Sequence, residues 1–387
     1  MEEELKSALA ARKEDNLFRY RRVLESAQGP SITVGGQGYT AFCSNDYLGL
    51  ANHPEIGETL RKASFEYGVG SGASHLVCGH SKEHHLLEES LAEFTGRDRA
   101  LLFSSGYMAN VGTINALLDK RDAIFEDRLN HASLLDGGLL SGARFQRFLH
   151  NDLDNLTNRL QRTTSRRKLI AVDSVFSMDG DCAPLCELSA LAESHQATLM
   201  ADDAHGFGVL GEKGAGCAEH FSLDQTQLPV LMGTFGKALG TYGAFVAGSE
   251  TLIETLIQFS RNYIYTTALP PAIAAATRKS LALVESETWR RDKLLSLVAR
   301  FRQGAEQLGL SLLESGTAIQ AVIIGDAEKT MRAALHLENA GFLVGAIRPP
   351  TVAVGSARLR ITLSAGHSEQ MVDALLTALD SCKDSRP

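Results

Sequence analysis

The sequence predicts an α/β protein whose main sheet is mostly parallel, followed by a smaller α+β domain. From about residue 40 to residue 285, apolar runs of strand length alternate with helical stretches. Polar clusters follow several of these runs directly, and from about residue 286 a charged helix leads into separated strands and helices. We therefore expect an N-terminal helix and extended segment (1–40), a large α/β domain (41–285) and a small α+β domain (286–387).

Length, composition and charge narrow the class of protein. The chain has 387 residues, 44% hydrophobic and 22% charged, which is typical of a soluble globular protein. The formal net charge of −8 argues against nucleic-acid or anionic-membrane partners. Cysteines are scattered, and Cys182 and Cys186 have no second pair nearby, so we expect reduced thiols and no zinc. An acidic N-terminus and the lack of an apolar run near 20 residues predict a cytoplasmic protein.

The N-terminal segment carries an amphipathic pattern. Leu5, Leu9, Leu17 and Val23 recur among many charged residues, which predicts a helix over 3–27. The next segment is extended, and its Gly35-Gly36 pair predicts a turn.

Strands and helices alternate through the rest of the chain. Apolar runs predict strands at 100–103, 123–125, 169–172, 198–201, 230–232 and 244–247. Helical periodicity predicts helices such as 84–94 and 109–118. In the last domain the same criteria predict helices at 287–308, 333–340 and 368–382, and strands at 319–324 and 359–363.

The side chains with the clearest chemistry, Asp202, His205 and Lys237, follow two predicted strands. The carboxyl edge of an open α/β sheet is where ligands bind. An amine can form a Schiff base with an aldehyde cofactor, a carboxylate can keep a pyridine nitrogen protonated, and an imidazole can reach a ring hydroxyl. The set predicts a site for pyridoxal phosphate (PLP). Taken alone, a lysine beside glycine is usually a solvated surface residue, and an aspartate at a strand end is usually a cap.

Other candidates have ordinary structural explanations beside the functional ones. Gly106 opens a predicted helix where backbone N–H groups favour a phosphate, but by itself an ordinary strand-to-helix turn is the better explanation. His131 can stack on an aromatic ring, although a single histidine is usually structural. Arg358 and Arg360 share one face of a strand and can bind a carboxylate, although a surface arginine is the default.

Two apparent motifs lack the neighbouring residues that their functions require. The glycines from 206 to 211 match the dinucleotide fingerprint, but the following residues have no helical period. His80 and His84 have helical spacing without a third ligand, which favours a helix-start or packing role over a metal site.

Six ordered segments together resemble the α-oxoamine synthase family of fold-type I PLP enzymes, over nearly the whole chain. They are Ser-Asn-Asp-Tyr-Leu-Gly-Leu (44–50), Phe-Ser-Ser-Gly-Tyr-Met-Ala-Asn (103–110), Asp-Ser-Val-Phe-Ser-Met-Asp-Gly-Asp (173–181), Asp-Asp-Ala-His-Gly-Phe-Gly (202–208), Gly-Thr-Phe-Gly-Lys-Ala-Leu-Gly (233–240) and the stretch 347–362. The resemblance implies a seven-stranded main sheet and a homodimer with a shared active site.

The resemblance also implies roles for matching residues. Lys237 forms the Schiff base, Asp202 faces the pyridine nitrogen, His205 contacts the ring hydroxyl and His131 stacks on the ring. The implied cofactor-binding residues further include Gly106, Tyr107, Ser177 and Thr234. The implied substrate-binding residues are Arg19, Asn45, His131, Thr351 and Arg360, of which Asn45 and Arg360 hold the amino-acid carboxylate and Arg19 and Thr351 contact the acyl group.

Within the family, the segment 347–352 and Arg19 favour members that condense L-alanine with a pimeloyl thioester, carried by coenzyme A or by acyl carrier protein. The alternative is a sibling such as 2-amino-3-ketobutyrate CoA ligase, which uses glycine and acetyl-CoA. A nicotinamide dehydrogenase rests only on the weak glycine match. A non-catalytic PLP-fold subunit is expected to lack the lysine that this chain has at 237.

Two positions depart from the family pattern. Asp173 stands where several relatives have glutamate, which shortens its reach. His75 stands where some relatives have arginine. These departures bear on substrate handling and leave the cofactor assignment unchanged.

Overall fold

The computed structural model describes residues 1–14 and 17–382, which form two sheets flanked by helices. The strands are β1 (Ser31–Val34), β2 (Gln37–Phe42), β3 (Arg99–Phe103), β4 (Ala123–Asp127), β5 (Arg144–Phe148), β6 (Lys168–Asp173), β7 (Thr198–Asp202), β8 (Val230–Thr234), β9 (Ala244–Gly248), β10 (Ile319–Gly325), β11 (Phe342–Ile347) and β12 (Ala357–Thr362). The helices are α1 (Glu2–Glu14), α2 (Pro54–Tyr67), α3 (Lys82–Thr95), α4 (Gly106–Leu117), α5 (Ala132–Leu140), α6 (Leu153–Gln161), α7 (Leu185–Ser194), α8 (Cys217–His220), α9 (Glu250–Phe259), α10 (Arg261–Ile264), α11 (Pro271–Ser286), α12 (Trp289–Gln307), α13 (Ala327–Asn339) and α14 (Glu369–Ser381).

The larger sheet has seven strands in the order β3-β9-β8-β7-β6-β4-β5. Neighbours from β8 to β5 pair in parallel, whereas β9 is antiparallel to both β3 and β8. The predicted α/β class with a mostly parallel, seven-stranded sheet is confirmed, and all six predicted strands of this sheet are present. Strand β5 was not predicted because it lies at an edge and its sequence, Arg-Phe-Gln-Arg-Phe, has no continuous apolar run.

The smaller sheet combines both ends of the chain, in the order β1-β2-β11-β12-β10. Strand β2 pairs in parallel with β11, with Thr40 opposite Phe342. The strands and helices predicted for the last domain are all present, whereas β11 was not predicted. The domain limits themselves stay a prediction.

The β1–β2 hairpin confirms the predicted glycine turn. Gly35 and Gly36 form a two-residue loop with φ of 58° and 74°. Positive φ at both loop positions suits the twist of a tight hairpin and favours glycine.

The predicted helix over 3–27 is wrong beyond Glu14, where α1 ends. Positions 15 and 16 lie outside the described residues, and no helix occurs from 17 to 27. Arg22 instead pairs with Glu338 through two hydrogen bonds of 2.5 and 2.6 Å, and the N–H of Glu25 donates to the carbonyl of Thr33. Tertiary contacts therefore override the helical period here.

The remaining sequence patterns have clear structural outcomes. The glycines from 206 to 211 lie in turns and bends, and the next helix along the chain begins at Cys217. The dinucleotide fingerprint therefore lacks the helix that it should open. None of the helices in the described part of the chain is long and apolar enough to cross a membrane.

Candidate active site

A cavity of about 220 Å³ lies at the carboxyl edge of the larger sheet. It lies where β6, β7 and β8 end and α4 begins, as predicted for ligand sites in open α/β sheets. Eight predicted residues line it: Gly106, Tyr107, His131, Ser177, Asp202, His205, Thr234 and Lys237. Ser133, Asp173, Ala204 and Met232 complete the lining.

Lys237 lies three residues beyond the end of β8, and its amine faces this cavity. Burial lowers its pKa to about 8, although the nearby carboxyl groups of Asp202 and Asp173 partly offset that effect. A larger fraction of the amine is therefore neutral near pH 7 than for a solvated lysine. A neutral amine is the form that acts as nucleophile or base.

Asp202, the last residue of β7, is buried and held at both oxygens. Its Oδ2 accepts a 2.6 Å hydrogen bond from Asn110 Nδ2, and its Oδ1 accepts one of 2.9 Å from the N–H of Ala204. Asn110 lies in the segment 103–110, but no role was predicted for it. Its place on α4, four residues after Gly106, was the available signal, since that spacing puts both on one helix face.

His131 is oriented by two groups. Its Nδ1 lies 2.8 Å from Ser133 Oγ, and its backbone N–H donates to Asp173 Oδ2 at 2.8 Å. Burial raises the pKa of Asp173 well above its ordinary value, and Asp202 adds to the rise. The shorter side chain at position 173 thus holds the loop that carries His131.

The side chain of His205 meets a buried tyrosine. The hydroxyl of Tyr47 lies 2.6 Å from His205 Nδ1. Burial lowers the pKa of His205 well below its ordinary value, with Lys237 and Arg360 adding to the decrease, so the imidazole is neutral. Tyr47 belongs to the 44–50 segment, but its side chain received no predicted role.

Arg360 is buried on β12 and bonds to Ser177, which lines the cavity. Its Nε donates to the carbonyl of Ser177 at 2.5 Å, and its Nη2 donates to Asn45 Oδ1 at 3.2 Å. The predicted pair Asn45 and Arg360 is therefore brought together next to Ser177. Arg358, on the same strand face, pairs instead with Asp179.

Arg19 and Thr351 lie together, but outside this cavity. They line a second cavity of about 230 Å³, with Arg12, Arg348 and Pro349 among its other residues. Several guanidinium groups give this cavity a positive character, which suits an acidic ligand.

The start of α4 and the end of β8 border the main cavity. Ser105 caps α4, and Thr234 Oγ1 donates to the carbonyl of Gly243 at 3.0 Å. A Cβ at Gly106 would lie 3.5 Å from the Met232 methyl group, so a side chain here would add bulk beside the cavity.

These residues fit PLP. The cavity offers an amine with a lowered pKa, a carboxylate fixed by two donors, a neutral imidazole and the N–H groups at the start of a helix. They match the cofactor's aldehyde, pyridine nitrogen, hydroxyl and phosphate in turn.

His84 belongs to a different structural feature. Its Nδ1 accepts from the N–H of Ser81 at 2.9 Å, which caps α3, and its Nε2 lies 2.6 Å from the carbonyl of Leu269. His75 and His80 lie nearby, with their Nδ1 atoms 2.9 Å apart. Because both His84 nitrogens are engaged, the structural role predicted for this residue accounts for its position.

Comparisons with known proteins identify the family and support PLP as its cofactor. Residues 37–379 match the family model "Aminotransferase class I and II". An 8-amino-7-oxononanoate synthase from Cellvibrio japonicus is 60% identical over 385 residues, which cover 100% of this chain and 97% of that protein. Among solved structures, a lysine-to-alanine variant of a serine palmitoyltransferase from S. paucimobilis, with a bound PLP-myriocin aldimine, has a TM-score of 0.92 and 29% identity, covering 98% of this chain and 96% of that one. An 8-amino-7-oxononanoate synthase from Francisella tularensis has a TM-score of 0.79 and 30% identity, covering 89% of this chain and 97% of that one.

Proposed function

The chain belongs to the class I and II aminotransferase family, and on that premise we propose that it is a PLP-dependent C-acyltransferase that joins L-alanine to a pimeloyl thioester. The products are 8-amino-7-oxononanoate, carbon dioxide and the free carrier, in biotin biosynthesis. The observation that carries the proposal is the convergence of Lys237, Asp202 and His205 in one cavity of a chain so similar to synthases of that name.

Different residues of this chain would bind the cofactor and accept the proton at this site. PLP, when bound, supplies an electron sink for the negative charge that forms at the Cα of the amino acid. Asp202 would hold the ring nitrogen, and its hydrogen bonds from Asn110 and Ala204 keep the carboxylate in place. Lys237 would hold the aldehyde carbon, and its amine, when free, accepts the Cα proton at Nζ. Gly106, Tyr107, Ser177 and Thr234 would hold the remainder of the cofactor, and His131 its ring face.

Two sets of polar residues would bind the substrates. Arg360 and Asn45 would bind the alanine carboxylate, and the burial of Arg360 and its hydrogen bonds to Ser177 and Asn45 support this role. Arg19 and Thr351 would contact the acyl substrate, whose free carboxylate suits their positively charged cavity.

The finer details of the assembly are part of the same proposal. We infer that the acyl carrier is coenzyme A or an acyl carrier protein, that the enzyme is cytoplasmic, and that two chains form a dimer with a shared site. Exposed apolar side chains support the dimer: Phe65, Val69, Val77 and Tyr265 are each more than 70% exposed. Three of these side chains lie within residues 65–77 and the fourth is Tyr265. The isolated bridge between Ser74 and Thr267 brings these two parts of the chain together.

The test is turnover and visible absorbance of the purified protein supplied with PLP. The cofactor band is expected to respond to L-alanine more than to glycine or L-serine, and pimeloyl-CoA is expected to give 8-amino-7-oxononanoate by mass spectrometry. Preference for glycine or serine would reassign the chain to a sibling synthase.

Lys237→Ala is expected to abolish product formation while some PLP still binds non-covalently. Lys168→Ala is the matched control, because Lys168 lies at the start of β6 with its Nζ bonded to the carbonyl of His195. Product formation by Lys237→Ala at the wild-type rate would refute the mechanism.

A further inference from the structure

One series of polar contacts connects the two sets of residues proposed to hold alanine and PLP. Arg360 Nη2 donates to Asn45 Oδ1 at 3.2 Å, and the hydroxyl of Tyr47 lies 3.3 Å from that same oxygen. The same hydroxyl lies 2.6 Å from His205 Nδ1. Tyr47 is thus the link between them, although it is not among the residues that line the cavity.

The tyrosine is a rigid support. Its side chain is 1% exposed within the apolar core, and its carbonyl accepts a 2.8 Å hydrogen bond from the N–H of Ala365. Burial raises the pKa of Tyr47 to about 12, so the phenol keeps its proton. The hydroxyl therefore remains a donor throughout the pH range in which enzymes work.

The lengths of the two contacts indicate where that proton points. Asn45 Oδ1 accepts only, and it lies 0.7 Å farther from the hydroxyl than His205 Nδ1 does, at 3.3 against 2.6 Å. The distance to Oδ1 exceeds the range of about 2.5–3.0 Å for O–H···O hydrogen bonds, so the hydroxyl proton is directed to Nδ1, the acceptor within reach. A neutral imidazole that accepts at Nδ1 carries its proton on Nε2.

We propose that Tyr47 is a positioning residue that holds His205 in the tautomer with the proton on Nε2, so that this nitrogen presents an N–H donor to the cavity. The proposal rests on the proposed function for its catalytic meaning, since a donor there suits the ring oxygen of the cofactor. Tyr47 itself touches neither the cofactor cavity nor the reacting atoms.

The first test uses cofactor-free protein labelled with ¹⁵N-histidine, so its result does not depend on the proposed reaction. His205→Asn identifies the His205 signals by their loss. The wild-type spectrum is expected to show a protonated Nε2 and a hydrogen-bonded, unprotonated Nδ1. A proton on Nδ1 in the wild type would overturn the proposal.

The second test is Tyr47→Phe, which removes only the hydroxyl. The His205 Nδ1 signal is expected to shift as its donor is lost, and Tyr263→Phe, which changes another buried tyrosine outside the cavity lining, is expected to leave it unchanged. In the loaded enzyme, kcat is expected to fall about tenfold, the worth of one hydrogen bond, with an unchanged KM for the pimeloyl thioester. An unshifted Nδ1 signal would refute the role of Tyr47, even if the enzyme proved to be a sibling synthase.

Discussion

At the scale of single residues, the carboxyl group of Glu126 is buried where water does not solvate it. Glu126 on β4 is fully buried, and neither of its carboxyl oxygens makes a hydrogen bond to the described residues. Burial raises its pKa to about 8, with Asn130 and Arg147 offsetting part of the effect. At neutral pH the group is therefore mostly protonated, since ionising it in this environment is costly.

Glu126 predicts a pH dependence of stability. Its pKa is higher in the folded chain than in the unfolded chain, so its contribution is fully present below the unfolded pKa near 4.5 and is lost as pH rises towards 8, by up to about 1.4 kcal/mol per pH unit. Glu126→Gln is expected to reduce the loss of unfolding free energy between pH 5 and pH 8.5. Urea unfolding at both pH values measures it, and an equal loss in both proteins would contradict the prediction.

At the scale of structural elements, the loop after β6 positions the residues proposed to bind alanine. Asp179 pairs with the buried Arg358 on β12, while the carbonyl of Ser177 accepts from Arg360 on the same strand. His150 bridges Asp127 and Asp181, and the nearby carboxylates raise its pKa to about 10 despite its burial. The pairs of Asp179 with Arg358 and of Asp181 with His150 therefore hold this loop to β12 and to the segment after β5.

Asp179→Asn is expected to lower the unfolding free energy by roughly 2 kcal/mol, because Arg358 loses a charged partner where water is scarce. The KM for alanine is expected to rise several-fold, since the shifted loop moves the Ser177 carbonyl that holds Arg360. Asp373→Asn provides the control: its partner Arg300 is solvated, so the cost there is below about 1 kcal/mol. Equal effects of the two substitutions would refute the positioning role of the loop.

At the scale of the whole molecule, the exposed apolar surface predicts association. Val77 is 78% exposed, and we expect the dimer contact to cover it. A charged side chain buried there would be strongly unfavourable. Light scattering is expected to give twice the chain mass of 41.7 kDa for the wild type and a monomer for Val77→Glu. Leu335→Glu, at an exposed site on α13, is the control and is expected to stay dimeric. A fully active wild-type monomer would contradict the shared site.

The sequence alone determined the α/β class and six of the seven strands of the larger sheet, and together with the family resemblance it predicted eight of the twelve residues that line the main cavity. These follow from local patterns: apolar runs form buried strands, and polar residues just after parallel strands meet at one edge of a sheet. The family resemblance implied the substrate-binding roles of Arg19, Asn45, Thr351 and Arg360, and these roles stay a prediction.

Only the tertiary structure decided what depends on distant parts of the chain. The helix predicted to residue 27 ends at Glu14, because Arg22 bonds to Glu338 on the distant α13 and the N–H of Glu25 bonds to Thr33 on the nearby β1. Tyr47, Asn110 and Asp173 support His205, Asp202 and His131 through contacts between residues 42 to 158 positions apart. Local periodicity carries no record of such pairings, because they arise only when separate elements pack together.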